Sequence, residues 1–302
     1  MKYLLTGGSG FIGSHLVDRL LKKGNEIVII DRNIKYHNLP KVIPKQLKIY
    51  HENIMGNIVD LFKDVDYVIH LAALTRPQWS IKYPFETTID NVNGTIKLLE
   101  HSKNNNIKRF VFVSSSDLYG DQPFYPTDED MTPNPMNTYA LSKWVGEQYC
   151  ELFYKLYGLE YNIIRPFNCY GDRMPLSGVY TSAVATFINA LKNNKTFVTF
   201  GSGRQKRDFV YIDDIVDMII LLTKSKVKNQ AFNCGSGENY SINEIRRIIE
   251  KIIGNKIPFK RLPAQYEKKL TLASMHKAYA LLDWRPKVDI KEGLKLTIEK
   301  ML

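Results

Sequence analysis

Apolar residues along the chain fall into short continuous runs separated by longer stretches spaced at three and four, the rhythm of buried strands alternating with amphipathic helices. Runs suited to buried strands occupy residues 4–5, 27–30, 47–50, 67–71, 110–113 and 161–164, and helical spacing fits 13–23, 90–103 and 138–157. This alternation predicts an α/β fold built on a doubly wound parallel sheet. A polar stretch with several prolines, residues 122–137, interrupts it and reads as a surface loop. After Arg165-Pro166 the pattern changes to short strands with helices near 181–192, 213–223, 243–253 and from 290 onward. Two domains are expected: residues 1–166, and a smaller α/β lobe over 167–302, with segments around 205–235 returning to the first.

The first strand runs directly into Thr6-Gly7-Gly8-Ser9-Gly10-Phe11-Ile12-Gly13 and then a helix. Glycines in that turn let the backbone approach a pyrophosphate, and the open N–H groups of the helix start attract its charge. The second strand ends at Asp31, 18 residues after Gly13. There a dinucleotide-binding, Rossmann-type fold places the carboxylate that accepts from the adenosine ribose hydroxyls. Dinucleotide binding follows from the order strand, glycine turn, helix, strand, acid.

Composition narrows the class. The 302 residues are 44% hydrophobic and 24% charged, as in a globular protein. No apolar run reaches the ~18 residues of a membrane span. The glycine motif starts too early to leave room for a removable leader, so a cytoplasmic location is expected. Cys150, Cys169 and Cys234 are widely spaced, which suits a reducing compartment and small core positions and makes no zinc pattern. The net charge of +11 is spread over helix faces and loops without a basic tail. Steering of anionic small molecules is expected from it, not a nucleic-acid partner.

Two further segments carry chemistry. Ser114-Ser115-Ser116-Asp117-Leu118-Tyr119-Gly120 follows the fifth strand, at the carboxyl end where open α/β sheets bind ligands. Tyr139 and Lys143 stand at i and i+4 on one helix, so phenol and ammonium share a face. A neighbouring cation is expected to lower the tyrosine pKa toward the range of a general base. The Ser115 hydroxyl is placed to hold the substrate oxygen that loses the proton.

Together these pieces resemble the extended short-chain dehydrogenase/reductases, in their nucleotide-sugar epimerase/dehydratase group, over nearly the whole length. The likeness extends through His70-Leu71-Ala72-Ala73, Asn91-Val92-Asn93-Gly94-Thr95, Arg165-Pro166-Phe167-Asn168, Phe200-Gly201-Ser202-Gly203, Arg207-Asp208-Phe209-Val210-Tyr211-Ile212-Asp213-Asp214 and Asp283-Trp284-Arg285-Pro286. It implies that Gly7, Gly10, Phe11, Ile12 and Gly13 cradle the pyrophosphate of NAD and that Asp31 takes the ribose. Arg32, beside it, leaves NADP as a minor alternative. Asn53 and Ile54 would flank the adenine, Asn53 standing where the family usually has Asp. Leu71, Ala72 and Ala73 would line the nicotinamide side, with Asn91, Ser114 and Pro166 counted among the cofactor contacts. Ser115, Tyr139 and Lys143 would be catalytic, Lys143 also holding the nicotinamide ribose. Ser115, Ser116, Tyr139, Asn168 and Arg207 would contact substrate, the last two at its diphosphate.

Several residues have plainer readings. Arg207-Asp208 also reads as a surface ion pair, His70 as a packed strand end, and Asp213 as the cap of the following helix. No metal site is expected. Trp144, Tyr149, Phe153 and Tyr157 read as core or, by the resemblance, partly as a homodimer interface. Thr271 aligns loosely with the residue that gates an N-acetyl group, in a segment, 263–275, that lacks the family's second diphosphate arginine. Arg261, Lys268 or Lys269 would substitute for it.

The reaction implied is a choice among relatives. A 4,6-dehydratase needs an acid and a base after the catalytic hydroxyl, and here those places hold Ser116-Asp117. The decarboxylases carry Thr-Ser-Glu, to which Ser115-Ser116-Asp117 is a near match. A 4-epimerase needs neither addition, so a UDP-glucose/UDP-galactose type of 4-epimerase is expected, with decarboxylation or 4-ketoreduction as the alternative. A non-catalytic sensor of NAD or nucleotide sugars remains as a reading from another class.

Overall fold

A computed structural model describes residues 1–176, 182–264 and 268–302. The apolar runs form strands β1 (Lys2–Thr6), β2 (Glu26–Ile30), β3 (Leu47–Tyr50), β4 (Tyr67–His70), β5 (Arg109–Val113) and β6 (Tyr161–Pro166). These pair in parallel, and a seventh strand, Gln230–Cys234, lies beside β6. The order is Gln230–Cys234, β6, β5, β4, β1, β2, β3, so the chain winds outward one way from β1 and then the other. Ligands bind at the carboxyl ends of the strands at such a switch point, here between β1 and β4. Every residue of β4, β5 and β6 is buried, which is why their sequences are runs rather than alternations.

Helix α1 (Phe11–Lys22) buries Leu16, Val17 and Leu20. Two helices too short for periodicity to show, α2 (Pro77–Lys82) and α3 (Pro84–Thr88), each start on a proline. The single helix expected over 90–103 is instead a π-helical turn, Ile89–Asn93, leading into α4 (Gly94–Asn104). Helix α5 (Thr138–Tyr157) is capped by the Asn137 side chain, which accepts from Ala140 N, and ends at Gly158 in the left-handed conformation.

The chain divides into two compact units: Met1–Leu118, Pro135–Arg165 and Val216–Phe232 make the first, and Tyr119–Asn134, Pro166–Ile215 and Asn233–Leu302 the second. The first holds the sheet core, including Leu4, Val28, Val68, Phe110, Phe112 and Ile163. The second contains three strand pairs: Asn168–Tyr170 with Phe209–Tyr211, Phe197–Phe200 with Phe259–Leu262, and Lys206–Arg207 with Tyr240–Ser241. Its helices include Ala183–Lys192, Ile242–Ile253, His276–Leu282 and Ile290–Met301, the second closed by a Ser241/Glu244 capping box. The helix start expected at residue 181 lies outside the described residues.

The stretch expected as a surface loop is partly built in. Thr127 is buried, its N–H donates to Leu272 O at 2.8 Å, and its carbonyl accepts from Ser274 N. Asp213 does not cap the helix Ile212–Lys224 but sits within its first turn. Its neighbour Asp214 is buried and accepts from the main-chain N–H groups of Lys287 and Val288. Cys150 and Cys234 are buried and Cys169 half-buried, all as thiols. Among the described residues no helix is long and apolar enough to cross a membrane.

Candidate active site

The glycine turn follows β1. Gly7 has φ +70°, and a Cβ there would lie 3.0 Å from Ala72 N; one on Gly13 would meet Gly7 O at 2.3 Å. Only glycine permits this turn and this approach of α1 to it. Gly10 occupies the N-cap without a side-chain cap, so the first N–H groups of α1, from Phe11 through Gly13, remain open for an anion. Asp31 is oriented from both sides: Oδ2 accepts from Ser9 Oγ at 2.6 Å and Ser9 N at 3.2 Å, Oδ1 from Asn33 N at 3.0 Å. An ionised carboxylate retains further acceptor sites for ribose hydroxyls. Arg32 is engaged by Asp90 at 2.6 Å, which draws away the guanidinium that NADP would need for its 2′-phosphate. Asn53 is exposed, its Oδ1 accepting from Met55 N, and Ile54 packs against Gly94. Leu71, Ala72 and Ala73 are half-buried at the end of β4. Ser114 Oγ is buried without a protein partner, an orphaned polar atom beside the catalytic segment. These features fit a bound dinucleotide.

The residues expected to be catalytic, Ser115, Tyr139 and Lys143, all lie within the first unit. Tyr139 is 8% exposed and Lys143 3%. Ser115 lies near enough to the Tyr139 phenol to lower its pKa, and the Ser115 Oγ accepts from Asp117 N at 3.1 Å. Tyr139 N donates to Ser80 Oγ at 3.0 Å, which ties the start of α5 to α2. Lys143 Nζ donates to Val113 O at 2.8 Å and lies over the Phe112 ring at 4.9 Å.

The ionisation expected of this pair requires correction. Burial holds the phenol well above its ordinary value, the Asp117 charge adds to this, and the nearby Ser115 hydroxyl works against it. The Lys143 ammonium itself donates to the β5 carbonyl of Val113. Burial pulls Lys143 itself down to about 8, opposed by Glu147. One turn further along α5, buried Glu147 pairs with Arg165 through Nη2 to Oε2 at 2.6 Å and Nε to Oε1 at 3.0 Å. The signal for it was in the sequence, Glu147 continuing the i+4 line of Tyr139 and Lys143.

Asn91 is 3% exposed and spends its amide internally: Nδ2 donates to Ser142 Oγ and Leu74 O, and Oδ1 accepts from Leu74 N at 2.7 Å. It therefore braces the segment after β4. His70 is buried, as the packing reading had it, with both ring nitrogens hydrogen-bonded. Ser116 is 7% exposed.

In the second unit, Asn168 Nδ2 donates to Asp208 O at 2.8 Å and Thr271 Oγ1 at 3.2 Å. Thr271 is buried and also accepts from Asp208 N, so its hydroxyl is committed to the fold. Arg207 Nη1 donates to Lys206 O. The surface-ion-pair reading of Asp208 fails: the residue is fully buried, and its carboxylate accepts from Ser236 N and Oγ, Gly237 N and Ala273 N. Pro166 begins the second segment of this unit, and Arg261 lies on its exposed strand Phe259–Leu262. Lys269 O accepts from Lys206 N.

On α5, Phe153 lies in the core and Tyr149 packs against it. Tyr157 is exposed, and a further exposed apolar line runs through Leu141, Leu152 and Leu156, with Val145 half-buried between them.

Comparison with known proteins agrees with this geometry. Residues 3–235 match the model of the NAD dependent epimerase/dehydratase family. A putative UDP-glucose 4-epimerase from Methanocaldococcus jannaschii is 36% identical, covering 99% of this chain and 97% of that protein. A UDP-N-acetylglucosamine 4-epimerase from Methanobrevibacter ruminantium M1, solved with UDP-N-acetylmuramic acid, superposes with TM-score 0.95 at 34% identity over 99% of this chain and 97% of the other. A UDP-glucuronic acid 4-epimerase from Bacillus cereus, solved with UDP-glucuronic acid and NAD, gives TM-score 0.92 at 31% identity over 100% and 99%. With its Rossmann-type sheet, its glycine turn and its Ser115–Tyr139–Lys143 set, this chain belongs to the NAD-dependent epimerase/dehydratase family of extended short-chain dehydrogenases/reductases.

Proposed function

We propose that the chain is a nucleotide-sugar 4-epimerase acting on a UDP-hexose, of the UDP-glucose/UDP-galactose type. The observation that carries this reading is the Ser115–Tyr139–Lys143 set without an added acid–base pair, Ser116 standing where a dehydratase needs a carboxylic acid. Relatives whose names give 4-epimerases of three different UDP-sugars support the position of reaction more than they support one sugar.

Bound NAD supplies a reversible hydride acceptor. The chain's own residues do the rest. Ser115 holds the sugar's 4-hydroxyl against the phenol, and Tyr139 removes its proton, which makes the C4 hydride transferable. Lys143 keeps positive charge beside the resulting 4-keto sugar and the nicotinamide ribose. Tyr139 returns the proton once the sugar has turned over and been reduced on its other face. Asn168 and Arg207 serve the diphosphate, a role suited to an amide and a guanidinium fork. Two copies pair through the exposed leucine line of α5.

The test is Tyr139→Phe. The variant is expected to bind NAD and UDP-glucose as wild type does and to lose interconversion by about 10²-fold or more. Retained activity would refute the assignment of Tyr139.

A further inference from the structure

His70 is a polar residue at the end of a wholly buried strand, and its ring is hydrogen-bonded at both nitrogens: Nδ1 to Thr6 Oγ1 at 2.7 Å and Nε2 to Thr95 Oγ1 at 3.0 Å. The strand register sets Thr6 directly opposite His70. The proton positions in this array follow from counting donors. Thr95 Oγ1 lies 2.6 Å from Asn91 O, an acceptor, so its single hydroxyl proton points there and the hydroxyl must accept from His70. Nε2 therefore carries the ring proton. Thr6 Oγ1 accepts from Ala72 N at 3.1 Å, and its own proton goes to the bare Nδ1.

One directed chain results. It runs from Ala72 N–H through Thr6, His70 and Thr95 to the carbonyl of Asn91 in the π-helical turn. From the Asn91 amide it continues through Ser142 Oγ to Tyr139 O on α5. Protonating Nδ1 would force Thr6 to accept there and leave its hydroxyl proton unsatisfied in the core.

We propose that His70, fixed as the neutral Nε2–H tautomer, is a positioning residue that locks the β4 end at Ala72 to the π-helical turn and the Tyr139 helix. Its imidazole touches neither sugar nor cofactor. Burial, and after it the Lys143 charge, holds the ring well below its ordinary pKa, so the lock persists across neutral pH. The Phe112 ring is near both: its centroid is 5.6 Å from that of His70 and 4.9 Å from Lys143 Nζ.

The kinetic side of this proposal rests on the 4-epimerase reading; the tautomer side does not. In the NAD-loaded protein with 15N-labelled histidine, the His70 ring is expected to show the Nε2–H pattern unchanged from pH 6 to pH 8. An Nδ1–H pattern, or protonation within that range, overturns the proposal. His70→Leu, which removes both bonds, is expected to lower kcat for UDP-glucose roughly tenfold or more through misplacement of the reacting groups, with KM within about twofold. His70→Gln, which keeps a donor toward Thr95, is expected to recover part of kcat. A folded His70→Leu enzyme with wild-type kcat also overturns it. If wild type turns over no UDP-glucose, the epimerase reading fails while the tautomer measurement still decides the role of His70.

Discussion

The Lys143 ammonium donates to the main-chain carbonyl of Val113, 2.8 Å away at the end of β5, while Tyr139 one turn earlier is buried with its phenol beside Ser115. Lys143 thus places a buried cation at the strand end that carries Ser114 and Ser115. Burial has drawn its pKa from 10.5 down to about 8. Below pH 8 the folded protein carries a charge it holds poorly. As pH rises from 8 toward 10.5 the folded state sheds a proton that the unfolded chain retains, and stability rises with pH. Lys143→Met is therefore expected to leave the NAD-free protein at least as stable as wild type in urea at pH 7. Turnover should fall by about 10²-fold or more. Clear destabilisation of that variant at pH 7 would contradict the account.

Asp117 adds to the burial that keeps the Tyr139 phenol protonated. Activity that depends on phenolate rises with pH through the phenol's ionisation. Removing the nearby negative charge lowers that pKa, so in Asp117→Asn the ascending limb of kcat/KM is expected to move to lower pH. An unmoved or oppositely moved limb would show that Asp117 does not act on Tyr139.

Glu147 and Arg165 form an ion pair whose side chains are 3% and 8% exposed. Deleting one charge strands the other in the core, so Glu147→Gln is expected to cost about 3–5 kcal/mol in unfolding free energy. The double variant Glu147→Gln/Arg165→Met should recover part of that loss. A single variant costing less than about 1 kcal/mol would mean that water reaches the pair.

Leu141, Leu152 and Leu156 are 44%, 43% and 61% exposed along one helix. If they pair two copies, Leu152→Arg with Leu156→Arg yields a monomer by sedimentation velocity where wild type sediments as a dimer. Wild type sedimenting as a monomer would remove the proposed interface.

The sequence was most informative where one residue type has one physical use. Buried parallel strands are continuous apolar runs, so β4 and β5 were legible, and the Gly7–Gly13 turn announces a helix start that must stay open. Its limits appear where the partner of a polar residue is distant in the chain. Asp208 looked like half of a surface pair because its donors come from residues 236, 237 and 273. Thr271 looked like a small gate because nothing nearby in sequence shows that Asn168 and Asp208 claim its hydroxyl. The π-helical turn at Ile89–Asn93 also left no mark, since apolar spacing across it still passes for an α-helix. The Tyr139–Lys143 spacing correctly placed both groups on the buried face, but spacing carries no sign for a pKa. Burial and Asp117 decide that for the phenol.

The central claim is that the sugar is oxidised at C4 and given its hydride back by the same bound cofactor. It is tested most directly by incubating the purified NAD-loaded enzyme with UDP-glucose, without added reductant, and following the sugar by proton NMR. The account predicts UDP-galactose at equilibrium with UDP-glucose, no net NADH, and no carbon dioxide from a parallel UDP-glucuronate incubation. A 4-keto-6-deoxy product, or a pentose with carbon dioxide from UDP-glucuronate, would contradict it.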